Sequence, residues 1–105
     1  ACIPNYMPIG TAKAAVEAMT RYLACELYEK GILVNAVSAG FVDTEALNAF
    51  KDVETLKEES IKRTPGGRIG QPEDVAKVVS FLCSEDANWI VGQTIIADGG
   101  ISIKF

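Results

Sequence analysis

The chain has 105 residues, of which 49% are hydrophobic and 23% charged, so it carries enough apolar material for the core of one small domain. Its net charge is −4 and its 10 basic residues are scattered, which argues against the basic patch of a nucleic-acid-binding protein. Separated cysteines, no histidine and no apolar run of about 18 residues argue against a disulfide framework, a metal site and a membrane span, and favour a cytoplasmic protein with reduced thiols.

A long helix is the first predicted element. Pro8 fixes its own φ and allows a helix to begin there or at Ile9. Gly31 stops this helix after Glu29 or Lys30. Apolar residues form two lines along it: Val16, Met19, Leu23 and Leu27, and Ala15, Ala18, Tyr22 and Cys25. We therefore expect cover on two sides, from a sheet of the same domain and from a neighbouring helix or a second subunit.

A buried strand and a loop are predicted next. Ile32–Ser38 is a nearly continuous apolar run rich in β-branched residues, which is typical of a strand covered on both faces of a parallel sheet. The loop Ala39–Thr44 follows at the carboxyl end of this strand. Open α/β sheets bind their ligands at that edge, so the position suits a ligand-binding loop.

The remaining predicted elements are helices and a second strand. Residues 45–63 are mostly polar and helix-forming, and they predict a mobile pair of short helices over a cleft, ended by Thr64–Gly67. A helix is predicted over Pro72–Cys83, with proline at its start and acidic residues in its first turn. Gln93–Ala97 is predicted as a second buried strand, and Gly99–Gly100 as the turn that ends it.

The order of helix, strand, short helices, helix and strand predicts an α/β fold with two parallel strands joined by a right-handed crossover. Two parallel strands alone make too small a sheet, because such strands need neighbours at their edges and helices on their faces. We therefore expect further strands, supplied by an N-terminal part of the same polypeptide, by a second chain or by rearrangement into an oligomer. The start at Ala1, without an initiator methionine, suggests the continuation of a longer protein.

Tyr6 and Lys13 are the residues best suited to chemistry. A phenol has an ordinary pKa of about 10 and exchanges protons poorly at neutral pH unless a nearby cation favours the phenolate. Lys13 follows seven residues later, so the two side chains share a helix face if Tyr6 lies just before the helix. By spacing alone, a surface lysine beside a packed tyrosine is the commoner arrangement.

The surrounding residues carry a family resemblance. Four segments closely resemble the C-terminal half of the short-chain dehydrogenase/reductase superfamily, and together they extend over nearly the whole chain: Ile3–Tyr6, Gly10–Ala24, Gly31–Gly40 and Gly92–Gly100. Most members place the catalytic tyrosine four residues before the lysine, which here is Ile9, a residue that cannot act as an acid. Enoyl-[acyl-carrier-protein] reductases place it seven residues before, where this chain has Tyr6.

Further segments are similar to the NADPH-dependent type III enoyl reductases. Ala39 precedes Gly40, where ordinary members usually carry proline, and the similarity continues through Phe41–Thr44, Gly67–Gly70 and Val91–Thr94. The resemblance implies that residues 1–105 are the C-terminal portion of a doubly wound, parallel-sheet, Rossmann-like reductase domain. The N-terminal dinucleotide-binding half is then absent from this sequence, which has no strand followed by a Gly-x-Gly-x-x-Gly loop.

The resemblance also implies a reaction, namely hydride transfer from NADPH, or alternatively NADH, to the β-carbon of a trans-2-enoyl thioester on acyl carrier protein in fatty-acid synthesis. Tyr6 would hydrogen-bond the thioester carbonyl oxygen and stabilise the enolate, and Lys13 would hold the nicotinamide ribose hydroxyls. Gly40, Val42 and Thr44 would belong to the cofactor-binding loop. Residues 45–63 would cover the substrate, in a homo-oligomer that is a tetramer or dimer.

Two other functions remain open at this stage. One is a carbonyl or alcohol dehydrogenase of the same superfamily, in which another residue replaces the tyrosine that is missing at Ile9. The other is a non-catalytic fragment that associates with itself through the apolar faces of its long helix. We expect cofactor binding by the isolated chain to be weak or absent, and the isolated chain to be inactive, because the glycine-rich loop is not in this sequence.

Overall fold

The computed structural model describes residues 7–104, and it has the predicted order of elements. Within these residues, three α-helices and two strands follow in this order: α1 (Met7–Leu27), β1 (Ala36–Ala39), α2 (Val53–Arg63), α3 (Pro72–Leu82) and β2 (Thr94–Ala97). Short 3-10 turns connect or follow them at Tyr28–Lys30, Glu45–Ala49, Glu85–Ala87 and Ile101–Ile103. The predicted α/β class is confirmed, and the predicted pair of short helices over 45–63 corresponds to a 3-10 turn and α2.

Helix α1 ends at Leu27, and the 3-10 turn Tyr28–Lys30 continues the helical stretch to Gly31, the predicted stop. Met7, the first described residue, is already helical. At the other end Gly31 adopts a left-handed conformation with φ of 74°, and its N–H donates to the Tyr28 carbonyl over 2.9 Å. The Ile32 N–H donates to the Leu27 carbonyl over 3.2 Å, so the last carbonyls of the helix are satisfied by the turn that leaves it.

The two strands pair in parallel, as predicted, but each is only four residues long. Their register runs from Ala36 opposite Thr94 to Ala39 opposite Ala97. The predicted strand start at Ile32 was too early, because side-chain hydrogen bonds of Asn35 replace regular pairing there.

Asn35 holds the beginnings of both strands together. Its Oδ1 accepts the Gln93 N–H over 2.9 Å, and its Nδ2 donates to the Ile90 carbonyl over 2.9 Å. Backbone hydrogen bonds from Gly92 to Val34 and from Ala36 to Gln93 lie on either side of it. An amide side chain is suited to this position because it supplies one donor and one acceptor to two backbone groups.

Little of the apolar surface is buried within residues 7–104. Helix α3 packs against both strands, and the buried apolar residues of this region are Ala24 and Ala87. Helix α1 reaches the segment before β2 at Ala24, whose Cβ would lie 3.2 Å from a Cβ added to Gly92. The close approach explains a glycine there, and its φ of 70° adds a second reason.

The predicted two-sided cover of α1 is not formed among the described residues. Met19 is 57% exposed and Tyr22 is 73% exposed, one from each apolar line of the helix. The chain exposes 8080 Å² in total, whereas a compact monomer of this mass exposes about 5,700 Å². A sheet of two short strands is too narrow to cover a helix of 21 residues.

Candidate functional site

A groove between helix α1 and strand β1 contains the predicted catalytic lysine. Its volume is about 560 Å³, and its lining combines the first turns of α1 with the whole of β1. Ile9 and Val16 contribute apolar surface from the helix, and Ser38 and Ala39 contribute the carboxyl end of the strand. The groove is therefore mostly apolar, with its charged groups on the helix side.

Lys13 lies on this groove together with Glu17, one helical turn further along. The lysine side chain is exposed, and its ammonium is not within ion-pair distance of any carboxylate in residues 7–104. It is thus accessible to a ligand that enters between α1 and β1. Tyr6, the predicted catalytic phenol, lies outside the described residues, so its pairing with Lys13 stays a prediction.

The loop after β1 begins with a glycine that is pressed against the end of β2. A Cβ added to Gly40 would lie 2.9 Å from the Cβ and 3.2 Å from the Cα of Asp98. Any other residue would push the two strand ends apart, since real Cβ atoms do not approach that closely. The structure therefore gives Gly40 a packing role, whatever it contributes to cofactor binding.

Val42 is fixed by a second close approach, from a segment that precedes α3. It forms an isolated parallel bridge with Gly70. The Gly70 N–H donates to the Phe41 carbonyl over 2.9 Å, and the Asp43 N–H donates to the Gly70 carbonyl over 2.8 Å. A Cβ on Gly70 would lie 2.9 Å from the Phe41 oxygen, so this bridge also requires glycine.

Thr44 lies at the outer end of this loop, just before the 3-10 turn Glu45–Ala49. Its side chain is exposed and does not cap that turn, so its hydroxyl is not committed to local structure there. Next to it, Asp43 forms an ion pair of 3.3 Å with Lys57 of α2. Helix α2, which corresponds to the predicted substrate cover, is thus attached to the loop after β1.

Arg68 and Asp74, on either side of Gly70 in the sequence, form an ion pair with two hydrogen bonds. Arg68 donates from Nη1 to Asp74 Oδ2 over 2.7 Å and from Nη2 to Asp74 Oδ1 over 2.9 Å. The Gln71 N–H also donates to Asp74 Oδ2, over 2.7 Å. The hydrogen bonds from Arg68 and then from the Gln71 backbone lower the pKa of Asp74 well below its usual range, and the Asp74 carboxylate raises the pKa of Arg68.

Asp98 organises the turn that ends β2. Its Oδ1 accepts the Gly100 N–H over 2.9 Å, and its Oδ2 accepts the Ser102 N–H over 3.1 Å. Hydrogen bonds from the Ser102 side chain and the Gly100 backbone lower the pKa of Asp98. The prediction that Gly99–Gly100 forms a turn is confirmed, with left-handed φ values of 64° and 93°.

The predicted site residues do not all meet in one cavity. Lys13 lines the groove between α1 and β1, whereas Val42 lines a second cavity of about 350 Å³ together with Gly70, Arg68 and Asp98. Gly40 lies between the two, where the strand ends meet, and Thr44 lines neither. The loop 40–44 therefore connects the groove of Lys13 with the segment 68–74.

Sequence reasoning missed the residues that fix this loop. The family-like segment Gly67–Gly70 contained Arg68 and Gly70, and Asp74 was assigned only to the first turn of a helix. Two signals were present in the sequence. Gly70 lies in the segment between two predicted helices, and Arg68 precedes the carboxylate of Asp74 by six positions. Only the fold shows that the partner of Gly70 is Val42, 28 positions earlier in the sequence.

Within residues 7–104, no helix is long and apolar enough to cross a membrane. In the same range, no three histidine, cysteine or acidic side chains come together as a metal-binding group would. The charged residues that line the groove between α1 and β1 are Lys13 and Glu17. An ammonium beside an apolar groove suits a ligand with hydroxyl groups next to a flat, weakly polar portion.

Comparison with known proteins assigns this arrangement to a class. The family model described as Enoyl-(Acyl carrier protein) reductase matches residues 1–102. A gluconate 5-dehydrogenase from Burkholderia cenocepacia, solved in complex with NADP and tartrate, superposes with a TM-score of 0.91 at 30% identity, over 100% of this chain and 41% of its own. The chain therefore belongs to the short-chain dehydrogenase/reductase superfamily.

Relatives within the superfamily act on different substrates by name. The chain is 39% identical over 102 residues to 1-cyclohexenylcarbonyl-CoA reductase of Streptomyces collinus, and covers 36% of that protein's length. It is 42% identical over 95 residues to a tropinone reductase homolog of Arabidopsis thaliana, covering 35%. These alignments take in 95% and 90% of this chain. The chain thus spans about a third of the length of these curated relatives, and membership alone leaves the substrate open.

Proposed function

We propose that this chain is the C-terminal portion of an enoyl-[acyl-carrier-protein] reductase that transfers hydride from NADPH, or alternatively NADH, to a trans-2-enoyl thioester in the cytoplasm. The observation that carries the proposal is the tyrosine seven residues before Lys13, at Tyr6, in a chain whose usual catalytic position holds Ile9. The share of its relatives that the chain spans supports a longer reductase, with the dinucleotide-binding half on the N-terminal side.

The chain's own residues suit the two ends of such a reaction. When bound, a nicotinamide cofactor would supply a hydride for the β-carbon of the thioester, and solvent or a protein group would supply the proton for the α-carbon. Negative charge would then develop on the thioester oxygen, and a hydrogen bond from the Tyr6 hydroxyl would stabilise it. The Lys13 ammonium favours negative charge near the phenol and lowers the cost of the same step.

The geometry around Lys13 fits a nicotinamide riboside. The groove between α1 and β1 offers an apolar floor at Ala39 and an exposed ammonium that can donate to two ribose hydroxyls. Backbone groups of Val42 and the exposed hydroxyl of Thr44 follow on the same loop and would face the carboxamide and the phosphates. A homo-oligomer, tetramer or dimer, would cover the exposed apolar lines of α1.

A named relative supports an unsaturated thioester as substrate. The name 1-cyclohexenylcarbonyl-CoA reductase describes a CoA thioester whose carbonyl is joined to a cyclohexenyl ring. For the present chain we propose an acyl-carrier-protein thioester, with residues 45–63 covering the acyl chain. The ion pair between Asp43 and Lys57 would then attach that cover to the cofactor loop.

The test is a reductase assay on the intact protein. NADPH oxidation is followed at saturating crotonyl thioester for the wild type, Tyr6→Phe and Lys13→Met. Loss of an acid or charge-stabilising group at the reaction centre should lower kcat by about 10²- to 10⁴-fold. Tyr22→Phe is the matched control, since Tyr22 is 73% exposed on α1 and outside the groove, and it should keep full activity. A wild type that oxidises neither NADPH nor NADH with this thioester would refute the proposal.

A second candidate is reduction of a carbonyl or oxidation of an alcohol. It is favoured by the names of other relatives, a tropinone reductase homolog and a gluconate 5-dehydrogenase. This function needs another proton donor in place of Ile9, so it should survive Tyr6→Phe. The same set of variants assayed with 3-oxoacyl and sugar substrates separates the two candidates, because only the enoyl reductase depends on Tyr6.

A further inference from the structure

We propose that Arg68 and Asp74 are positioning residues for the loop 40–44: their ion pair fixes Gly70 as the backbone partner of Val42 and thereby sets the geometry of the loop that contacts the cofactor. The part of this inference that concerns the cofactor rests on the proposed function. The part that concerns the loop rests on the contacts of residues 40–74 alone.

Asp74 joins the two ends of the segment 68–74 by its hydrogen bonds to Arg68. Its two carboxylate oxygens accept both terminal nitrogens of Arg68 and the N–H of Gln71. Arg68 Nη1 also donates to the Ile69 carbonyl over 3.1 Å. A planar guanidinium that binds both oxygens restricts the orientation of both side chains, which a single contact does not do.

Gly70 lies within the segment 68–74, and its backbone forms hydrogen bonds with the loop after β1. Both of its polar backbone groups are used across the gap, one to Phe41 and one from Asp43. They flank Val42, so its backbone cannot rotate without breaking a hydrogen bond. Arg68, Asp74 and Val42 also line the same cavity of about 350 Å³, which places the ion pair directly behind the loop.

The first turn of α3 does not require Arg68. Helix α3 begins with Pro72 and has its own reciprocal contacts, from Gln71 N–H to the Asp74 carboxylate and from Asp74 N–H to the Gln71 carbonyl. These contacts satisfy the first turn without Arg68. The arginine therefore adds a constraint on residues before the helix, where Gly70 meets the loop.

The experiment is hydrogen exchange on the intact protein, comparing wild type with Arg68→Gln. We expect exchange to rise about three- to tenfold both at Gly70 and at Asp43, whose N–H groups form the bridge. Arg68→Lys keeps the charge but not the planar double contact, and should give an intermediate increase. A rise confined to residues 68–74, or no rise at all, would overturn the inference.

The matched control is Lys62→Gln, which removes an exposed ion pair to Glu59 on α2, 3.6 Å long. It should leave exchange at both bridge amides within about twofold of wild type. Should Arg68→Gln lose its folded near-ultraviolet circular dichroism, the comparison of Arg68→Lys with the control decides the question. If Arg68→Lys raises exchange over the wild type by no more than the control does, the positioning role is refuted.

The cofactor part is tested by the dissociation constant for NADPH, measured by fluorescence titration, and by the split between KM and kcat. Arg68→Gln should raise both the dissociation constant and the KM for NADPH about three- to tenfold, with kcat within about twofold of wild type. An unchanged dissociation constant would show that the loop does not transmit the constraint. A wild type that binds neither NADPH nor NADH would refute the proposed function, and the exchange result would still decide the inference about the loop.

Discussion

The loops at the carboxyl edge of the sheet and the long helix α1 are held in opposite ways. At the edge, the segments are in close contact: a Cβ on Gly40, Gly70 or Gly99 would come within 2.9, 2.9 and 2.7 Å of another residue, respectively. On α1, which has 21 residues, those that are buried are Thr20 and Ala24, while Met19 is 57% exposed. One region has no room for an added methyl group, and the other has wide apolar surface available for contact.

This difference shows where the geometry of the candidate site is encoded. The loop 40–44 is fixed by two backbone hydrogen bonds with Gly70, by the packing of Gly40 against Asp98 and by an ion pair with Lys57. The placement of Lys13 depends on α1, whose buried residues are Thr20 and Ala24, about two and three helical turns away. Substitutions should therefore act strongly at the edge and weakly along α1.

The largest effect on stability is expected at Gly99. Gly99→Ala places a Cβ 2.7 Å from the Thr64 methyl group in a backbone with φ of 64°, and should lower the free energy of unfolding by about 2–4 kcal/mol. Gly31→Ala is the matched control at the end of α1, because it has φ of 74° but open space around the added atom. We expect it to cost about 1 kcal/mol. Urea unfolding measures both, and equal losses would remove the contrast.

A smaller effect is expected at Asn35, which joins the strand starts to the segment that α1 contacts. Asn35→Ala leaves the Gln93 N–H and the Ile90 carbonyl without their partner, at a cost of about 1–3 kcal/mol. Gln93→Ala is the control: the Gln93 side chain is exposed and makes one hydrogen bond of 3.2 Å to the Val91 carbonyl, so it should cost less than about 0.5 kcal/mol. Thermal unfolding followed by circular dichroism compares them, and a smaller loss for Asn35→Ala than for its control would contradict this assignment.

Acid should weaken the edge before it weakens α1. The pKa values of Asp74 and Asp98 are lowered in the folded protein, so between those values and the ordinary value of about 3.9 the unfolded chain binds more protons than the folded one. Stability from these carboxylates is present above that ordinary value and is lost as the pH falls through the folded values. Asp98→Asn should flatten the fall of unfolding free energy below about pH 4, and a fall as steep as that of the wild type would contradict this expectation.

The smallest effect is expected at the ion pair that attaches α2 to the loop. Lys57→Gln removes a contact of 3.3 Å with Asp43, whose side chain is 42% exposed, so the loss of unfolding free energy should stay below about 1 kcal/mol. The loss should diminish further as salt is added, because exposed ion pairs are screened. Denaturant titrations at two salt concentrations test this, and a loss that does not depend on salt would point to packing by the lysine stem instead.

The fold was largely predictable because its signals are local. Proline and glycine mark the boundaries of α1 and α3, and the β-branched runs mark both strands, so the order of elements and their parallel pairing followed from the sequence. Strand length was overestimated at Ile32, because hydrophobic pattern does not show where the Asn35 side chain takes over from regular pairing.

The candidate site was predictable only in part. Lys13 and the loop 40–44 were located by chemistry and by the rule that ligands lie at the carboxyl ends of parallel strands. The partnership of Val42 with Gly70, and its dependence on Arg68, arises from contacts between segments far apart in sequence. No period or motif encodes such contacts, so only the folded arrangement reveals them.

The parallel register also has a consequence for the order in which the protein takes shape. Asn35 and Gln93 are 58 residues apart, and closing a segment of that length costs roughly 3–4 kcal/mol of chain entropy before any strand pairs. During synthesis the loop 40–44 is made well before Asp98, against which Gly40 packs. The loop therefore reaches its final shape only after the segment that contains Asp98 has been made.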